Sequence, residues 1–351
     1  MRWACGDRII LAVSNLELQP ADRGGRARDS ARGEERGGMS IREAIFLGTS
    51  SQVPTRLRNH NAVFLLWDDM GILFDPGEGT QRQMIHAGVS ASRITHIAIT
   101  HFHGDHCLGL AGVIQRLSLD RAQHPVEVIF PASGLVFYER LRHASIFYDG
   151  ATIIPRAVPV DSGDMEVARC GSSRIIARKL EHAVECIGYR VQEDDGSSLV
   201  PDLLEQHGLR GRAIGDLTRK GSVDVNGKLV SLSDVSVPKK GQSFAIVMDT
   251  RPCEGARALA RGTDLLVCES TYLRSEETEA KERFHMTAEQ AATLAAQSGS
   301  RHLVLTHFSP RYMRGDEFVK EAAPIFANTD AAEDLMRVAV PARVAGMPST
   351  K

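Results

Sequence analysis

From residue 41 onward the chain alternates short apolar runs with polar turns. Residues 44–47, 62–66 and 71–74 read as strands, the last two paired about Asp68-Asp69. Residues 80–87 read as a helix, 94–100 as a buried strand and 107–116 as a helix. Further strands are predicted over 126–130, 173–180, 186–191, 244–248, 265–268 and 302–306. Helices are predicted over the Ala-rich stretch 287–298 and over 316–326 and 331–338. Between 193 and 240 charges, glycines and short apolar stretches mix and the pattern weakens. One event recurs: a buried strand delivers an acid or an imidazole at its carboxyl end. Residues 94–100 lead to His101, 173–180 to His182, 244–248 to Asp249, 265–268 to Glu269 and 302–306 to His307. Strands and helices in this order predict two packed sheets with helices outside, an α/β architecture.

Composition adds exclusions. The chain has 351 residues, 42% of them hydrophobic, enough for a sizeable core. A net charge of −2 leaves only a local basic patch as a signal for nucleic acid. Cys5, Cys107, Cys170, Cys186, Cys253 and Cys268 are scattered without a C-x-x-C pair, which excludes a disulfide framework or zinc knuckle and fits a reducing cytoplasm. No apolar run is long enough to span a membrane. Residues 21–38 offer almost nothing to bury, so residues 1–38 are expected to be a disordered or non-native extension, with the folded domain at 39–351. N-terminal sequencing of the protein from its native host should find Met39 first; a mature chain starting at Met1 would refute this.

The chemistry centres on Thr100-His101-Phe102-His103-Gly104-Asp105-His106. In an extended segment His101 and His103 point the same way. Gly104 permits a sharp turn that brings Asp105 and His106 to the same cavity. Neutral imidazoles with a carboxylate suit zinc, or less specifically manganese or iron. One such cluster cannot complete two metal shells, and His182, Asp249 and His307 at distant strand ends are the candidates to finish them.

H-x-H-x-D-H followed by His, Asp and His resembles the metallo-β-lactamase fold, an αβ/βα sandwich of two mixed sheets. That resemblance implies two Zn²⁺ per subunit (Mn²⁺ or Fe²⁺ as alternatives). His101, His103 and His182 would hold one ion, Asp105, His106 and His307 the other, with Asp249 bridging. Other runs narrow the likeness to the ribonuclease Z family of tRNA 3′ endonucleases. Pro54-Thr55-Arg56-Leu57-Arg58-Asn59 resembles its PxKxRN loop, and Phe74-Asp75-Pro76-Gly77-Glu78-Gly79-Thr80-Gln81 its glycine-rich stretch. Cys268-Glu269-Ser270-Thr271 resembles its HEAT motif, with Cys for His and Ser for Ala. His285-Met286-Thr287 resembles HST, and Thr306-His307-Phe308-Ser309-Pro310-Arg311-Tyr312 the C-terminal block.

The resemblance implies cleavage of the 3′ trailer from precursor tRNA. Asp105 would orient or deprotonate the attacking water, and His285, oriented by Glu269, would protonate the leaving oxygen. Arg56, Arg58, Asn59 and Arg311 are candidates to contact RNA near the cut. A protruding tRNA-binding arm is expected at about 196–230, with Arg210 and Arg212 as contacts. His207-Gly208-Leu209-Arg210 carries the glycine but not the proline usual at its tip. A cytoplasmic homodimer is also implied, one subunit's arm gripping tRNA at the other's active site. A phosphodiesterase for small or other RNA substrates shares every metal ligand. A non-catalytic RNA-binding module, a glyoxalase and a lactamase are further readings, which the ligand set, the arm and the Glu269–His285 pair disfavour.

Overall fold

The structure, a computed structural model, describes residues 41–160 and 163–343. The extension expected over 1–38 lies outside the described residues. The first sheet is built from β1 (Arg42–Gly48), β2 (Ala62–Trp67), β3 (Met70–Phe74), β4 (His96–Ala98), β5 (Val126–Pro131) and β6 (Ile153–Val158). Three strands follow for the second sheet: β7 (Met165–Cys170), β8 (Ser173–Leu180) and β9 (Cys186–Glu193). An inserted element contributes β10 (Gly196–Leu199), β11 (Ser222–Val225), β12 (Lys228–Ser231) and β13 (Ser236–Lys239). The second sheet resumes with β14 (Ser243–Val247), β15 (Leu265–Glu269), β16 (Leu303–Thr306) and β17 (Thr329–Ala331), and β18 (Arg337–Ala339) returns to the first. The spatial orders are β18-β1-β2-β3-β4-β5-β6 and β17-β16-β15-β14-β9-β8-β7, each with parallel and antiparallel pairs.

Strand pleating explains the layering. Along β2, Val63, Leu65 and Trp67 enter a cluster between the sheets, where they join Tyr189, Phe244 and Ile246 from the second sheet. The alternate residues Ala62 and Phe64 face outward onto the helices Thr80–Ala87, Leu110–Leu119 and Leu135–Arg142. In β14, Phe244 and Ile246 point inward while Ala245 and Val247 meet the helices Glu254–Ala260, Ala288–Ser298 and Asp316–Ala322. Both faces of each sheet are covered, which is why these strands read as unbroken apolar runs rather than as alternating ones. Buried polar bonds tie the sheets together: Trp67 Nε1 donates to Ser173 Oγ at 2.9 Å, and the Tyr189 hydroxyl to Ile99 O at 2.7 Å. The αβ/βα sandwich expected from the sequence is the observed fold.

Three predicted elements differ. Residues 331–338, helical by propensity, instead hold a turn between two edge strands: β17 pairs in parallel with β16, and β18 antiparallel with β1. Ladder bonds to two different sheets override local preference there. The 94–100 strand contracts to β4, and the 107–116 helix divides into Gly104–Cys107 and Leu110–Leu119. Val113, Ile114 and Leu117 of that second helix are core, while Leu119 is exposed.

Residues 196–239 form a small unit between β9 and β14. It has two two-stranded sheets, β10 with β13 and β11 with β12, and helices Pro201–Gln206 and Arg212–Lys220. It packs around its own cluster of Leu209, Leu217, Val230 and Val235. The weak sequence pattern here reflects that small core: few positions have anything to bury against. The unit extends beyond the expected boundary of 230 to Lys239. Leu217→Ala should cost the unit about 2–5 kcal/mol. Tryptic cleavage after Arg219 and Lys220 should then speed up while the main thermal transition stays in place. A parallel fall of the main transition would show that the insertion is not a separate cooperative unit.

Candidate metal centre

The carboxyl ends of β3, β4, β8, β14, β15 and β16 meet at one edge of the sandwich, where Ile187 N–H donates to Thr100 O at 3.0 Å. His101 and His103 follow β4 in extended backbone. The helix Gly104–Cys107 then turns Asp105 and His106 inward. Gly104 has ordinary helical backbone, so the sharp turn expected there does not draw on a glycine's conformational freedom. Gly77 is the glycine with a steric reason: a Cβ there would lie 2.2 Å from Asp105 O. Asp249 and His307 leave their strands with φ of 47° and 61°, and Asp75 leaves β3 with 46°. Non-glycine residues in this region cost on the order of 1–3 kcal/mol each and concentrate at functional sites.

These turns bring the donors together. His103 Nδ1 lies 3.0 Å from His101 Nε2 and 3.2 Å from His182 Nε2. Asp249 Oδ2 is 3.6 Å from His101 Nε2, 3.8 Å from His182 Nε2 and 3.4 Å from His106 Nε2. On the other side, His307 Nε2 is 3.1 Å from His106 Nε2 and 3.5 Å from Asp105 Oδ2. The groups fall into two sets, His101/His103/His182/Asp249 and Asp105/His106/His307, with ligand atoms in each set within 4.8 Å of one another. No hydrogen bond reaches the buried Asp249 Oδ1, which lies 3.2 Å from His307 Nε2.

Surrounding partners fix the imidazole tautomers. Asp75 Oδ2 accepts from His106 Nδ1 at 2.9 Å, and Phe284 O from His182 Nδ1 at 3.3 Å. The Thr100 hydroxyl donates to Asp75 Oδ2 at 2.8 Å and so accepts from His101 Nδ1 at 3.0 Å. Likewise the Thr271 hydroxyl donates to Glu269 Oε2 at 2.7 Å and accepts from His307 Nδ1 at 3.0 Å. All four Nδ1 atoms therefore carry protons, and the four Nε2 atoms, the nitrogens left to bind a cation, face inward. Orphaned Asp249 Oδ1, inward Nε2 atoms and carboxylates at these spacings are a donor set that fits divalent cations.

Electrostatics agree. Burial holds His101, His103 and His182 below the ordinary imidazole range, keeping them neutral donors. Burial also opposes charge on His106, but Asp249, Asp105 and Asp75 raise its pKa well above normal. Burial works against ionised Asp105 and Asp249, yet the neighbouring histidines, His106 and His307 foremost, hold both well below the usual carboxylate range. The pocket draws positive charge strongly.

Beside the donors, Glu269 is fully buried and accepts from Thr250 N–H at 2.7 Å and Met286 N–H at 3.2 Å. Its Oε1 lies 2.9 Å from His285 Nδ1. Burial lowers the His285 pKa, but Glu269 outweighs it and lifts it to about 9. His285 also falls within the donor cluster of Asp249 and His307.

The basic residues divide. Arg56 is exposed. Arg58 corrects the expectation of a phosphate contact. It is 5% exposed, and its Nη1 donates to Thr49 Oγ1 at 2.8 Å and Ala332 O at 3.0 Å, with the guanidinium 4.6 Å over the Phe308 ring. Asn59 also braces its loop, Nδ2 donating to Glu78 O at 2.8 Å. Arg311 is paired with Glu276 and Glu279. In the insertion Arg210 lies 3.5 Å from Glu205 and Arg219 pairs with Asp216, while Arg212 is exposed. Residues 196–239 hold six Lys and Arg against five Asp and Glu, a thinner basic patch than the local run 210–220 suggests.

Asp75, Thr100 and Thr271 were not singled out from sequence. The strand-end rule finds Asp75, which follows β3 as His307 follows β16. The Gln52 N–H, donating to Asp105 Oδ2 at 2.7 Å, has no sequence signal because a main-chain donor is residue-blind.

The family model of the metallo-beta-lactamase superfamily matches residues 55–192, and that of the beta-lactamase superfamily domain matches 226–308. Two mixed sheets meeting at this cluster make the protein a member of that superfamily, which implies a divalent metal. Ribonuclease Z of Salinispora arenicola is 51% identical over 87% of this chain and 98% of its own length. Ribonuclease Z of Chlamydia pneumoniae is 45% identical over 84% and 95%. The short form of human tRNase Z superposes with a TM-score of 0.64 at 26% identity, covering 86% of this chain and all of that one. The chain belongs to the ribonuclease Z family.

Asp75→Asn leaves His106 Nδ1 without its carboxylate. Metal affinity, read by chelator competition, should fall about 10- to 100-fold; unchanged affinity would show that Asp75 does not set the His106 ligand.

Proposed function

We infer that this protein is a metal-dependent endoribonuclease that removes the 3′ trailer from precursor tRNA. The observation that carries it is the convergence of seven donors on one buried pocket beside a Glu269–His285 pair, in a chain of the ribonuclease Z family. His101, His103 and His182 would hold one zinc ion and Asp105, His106 and His307 a second, Asp249 lying between the sets. Manganese and iron suit the same donors. Bound divalent cations supply Lewis acidity that activates a water and polarises the phosphate.

The remaining steps belong to the chain. Asp105, fixed by the Gln52 N–H, orients the attacking water and takes its proton. As the water oxygen bonds to phosphorus, the bond to the 3′ oxygen breaks. His285 gives that oxygen its proton, leaving a 3′-hydroxyl on the tRNA and a 5′-phosphate on the trailer. Glu269 holds the proton on His285 until it is needed. A positioned acid of this kind contributes roughly 10²–10⁴-fold. Arg56, exposed on its loop, would meet RNA phosphate, and Arg311 would do so by exchanging its glutamates for one.

The insertion supports an arm. It grows from the β9–β14 end of the sheet, whereas the donors sit at the other end of β9. Eight residues of strand separate the two, about 26 Å at the strand rise. An arm rooted there reaches RNA on a partner's active site more readily than on its own, which favours a homodimer. Arg210 and Arg212 are its proposed tRNA contacts. No helix among the described residues is long and apolar enough to cross a membrane, and the work proposed belongs in the cytoplasm.

Purified protein with zinc and end-labelled precursor tRNA, with and without an encoded CCA, should cut once at the 3′ boundary of the mature tRNA; no cut, or scattered cuts, would reject the function. His285→Ala should lower turnover about 10²–10⁴-fold. Metal content should stay normal, and its loss together with activity would assign His285 a structural role. Deleting 196–239 leaves Asp194-Asp195-Lys240-Gly241, a hairpin-length link between strands that already pair. That variant should lose precursor cleavage and keep hydrolysis of a small phosphodiester; equal loss of both would argue against an arm.

A further inference from the structure

A cavity of about 720 Å³ opens beside His182 and has no part in the steps above. Its walls come from three loops that each also carry a site residue. Glu181 precedes His182, Arg251 follows Asp249 by two positions, and Phe284 precedes His285. The Arg251 guanidinium lies 4.9 Å over the Phe284 ring. Its Nε donates to Glu181 Oε2 at 2.7 Å and its backbone N–H to Glu181 O at 3.2 Å. Phe284, with a φ of 59°, accepts from His182 Nδ1 through its carbonyl. The stacked pair is thus pinned to the metal centre from both sides, yet the Arg251 side chain remains 41% exposed.

The rim decides what fits. Glu181, Glu185 and Glu254 face Lys179 and Arg251 there, an acidic balance that disfavours a phosphate. A flat cation backed by an aromatic ring suits the face of a nucleobase, and carboxylates around it suit the amino and imino donors on a base edge. We propose that this cavity is a nucleobase subsite, in which a base next to the scissile phosphate stacks on the Arg251–Phe284 pair. The proposal rests on the precursor-tRNA reading above. The base comes from the mature tRNA end or from the first trailer nucleotide, and the test separates them.

The test uses metal-loaded protein and precursor tRNAs carrying one abasic nucleotide, either just 5′ or just 3′ of the cut. With the wild type, one of the two positions should lower kcat/KM about tenfold or more, as losing a base stack does, and so identify the base. Phe284→Ala and Arg251→Ala should lose a similar factor on intact precursor and almost nothing further on that abasic one. Arg251→Lys keeps the charge opposite Glu181 but not the flat face, and should behave like Arg251→Ala. Metal content should match the wild type throughout. Indifference of the wild type to both abasic substrates overturns the subsite, as do variant and abasic losses that multiply, or loss of metal from all three variants. A wild type that fails to cut intact precursor rejects the function itself, which keeps the two failures distinct.

Discussion

An imidazole offers its lone pair at one nitrogen only when its proton rests on the other, and this centre depends on where four such protons rest. His101 and His106 are set by Asp75, one through Thr100 and one directly. Across the cavity, His307 and His285 are set by Glu269, again one through a threonine, Thr271, and one directly. Each sheet therefore supplies one buried carboxylate and one threonine hydroxyl at a strand end. The two halves differ in result. Asp75 orders His101 and His106, both of which face the cavity with Nε2, whereas Glu269 orders His307 and also His285, whose pKa it lifts to about 9.

Much of this was legible in the chain. The donors announce themselves because chemistry placed at a buried strand's end leaves a polar residue where an apolar run stops. His101, His182, Asp249, Glu269 and His307 all obey that pattern, and the structure gathers them. The strand core was legible for the same reason: Phe244, Ile246 and Val267 are buried by any pairing the sheet could adopt. What was hidden depends on distant partners. Residues 331–338 favour a helix locally and instead turn between β17 and β18 only because β16 and β1 wait for those strands. Arg58 looks like a hand for phosphate in a basic loop, but a space beneath that loop, lined by Thr49, Ala332 and Phe308, takes it in.

The features proposed for RNA recognition are spread over distance. The Pro54–Asn59 loop and the Arg251–Phe284 cavity adjoin the metal centre, while the insertion is rooted at the far end of β9. The insertion's near-neutral balance and its own small core would suit the proposed arm to grip by shape as much as by charge. Its separation also insulates the donors: strain in the small core need not reach β14, whose residues are buried on both faces.

The turn between β17 and β18 has a consequence for the order of assembly. Asp334 accepts from Thr49 Oγ1 at 2.8 Å, from Asn59 N–H at 2.7 Å and from Gln83 Nε2 at 3.1 Å. One of the last described residues thus clasps three segments from the beginning of the domain. During synthesis most of the first sheet can pair while the chain is still growing, but the loop at Asn59 stays unclasped until residue 334 has left the ribosome. A nascent chain cannot finish this edge before the turn ahead of β18, the last strand among the described residues, is in reach, so the clasp closes late and all at once.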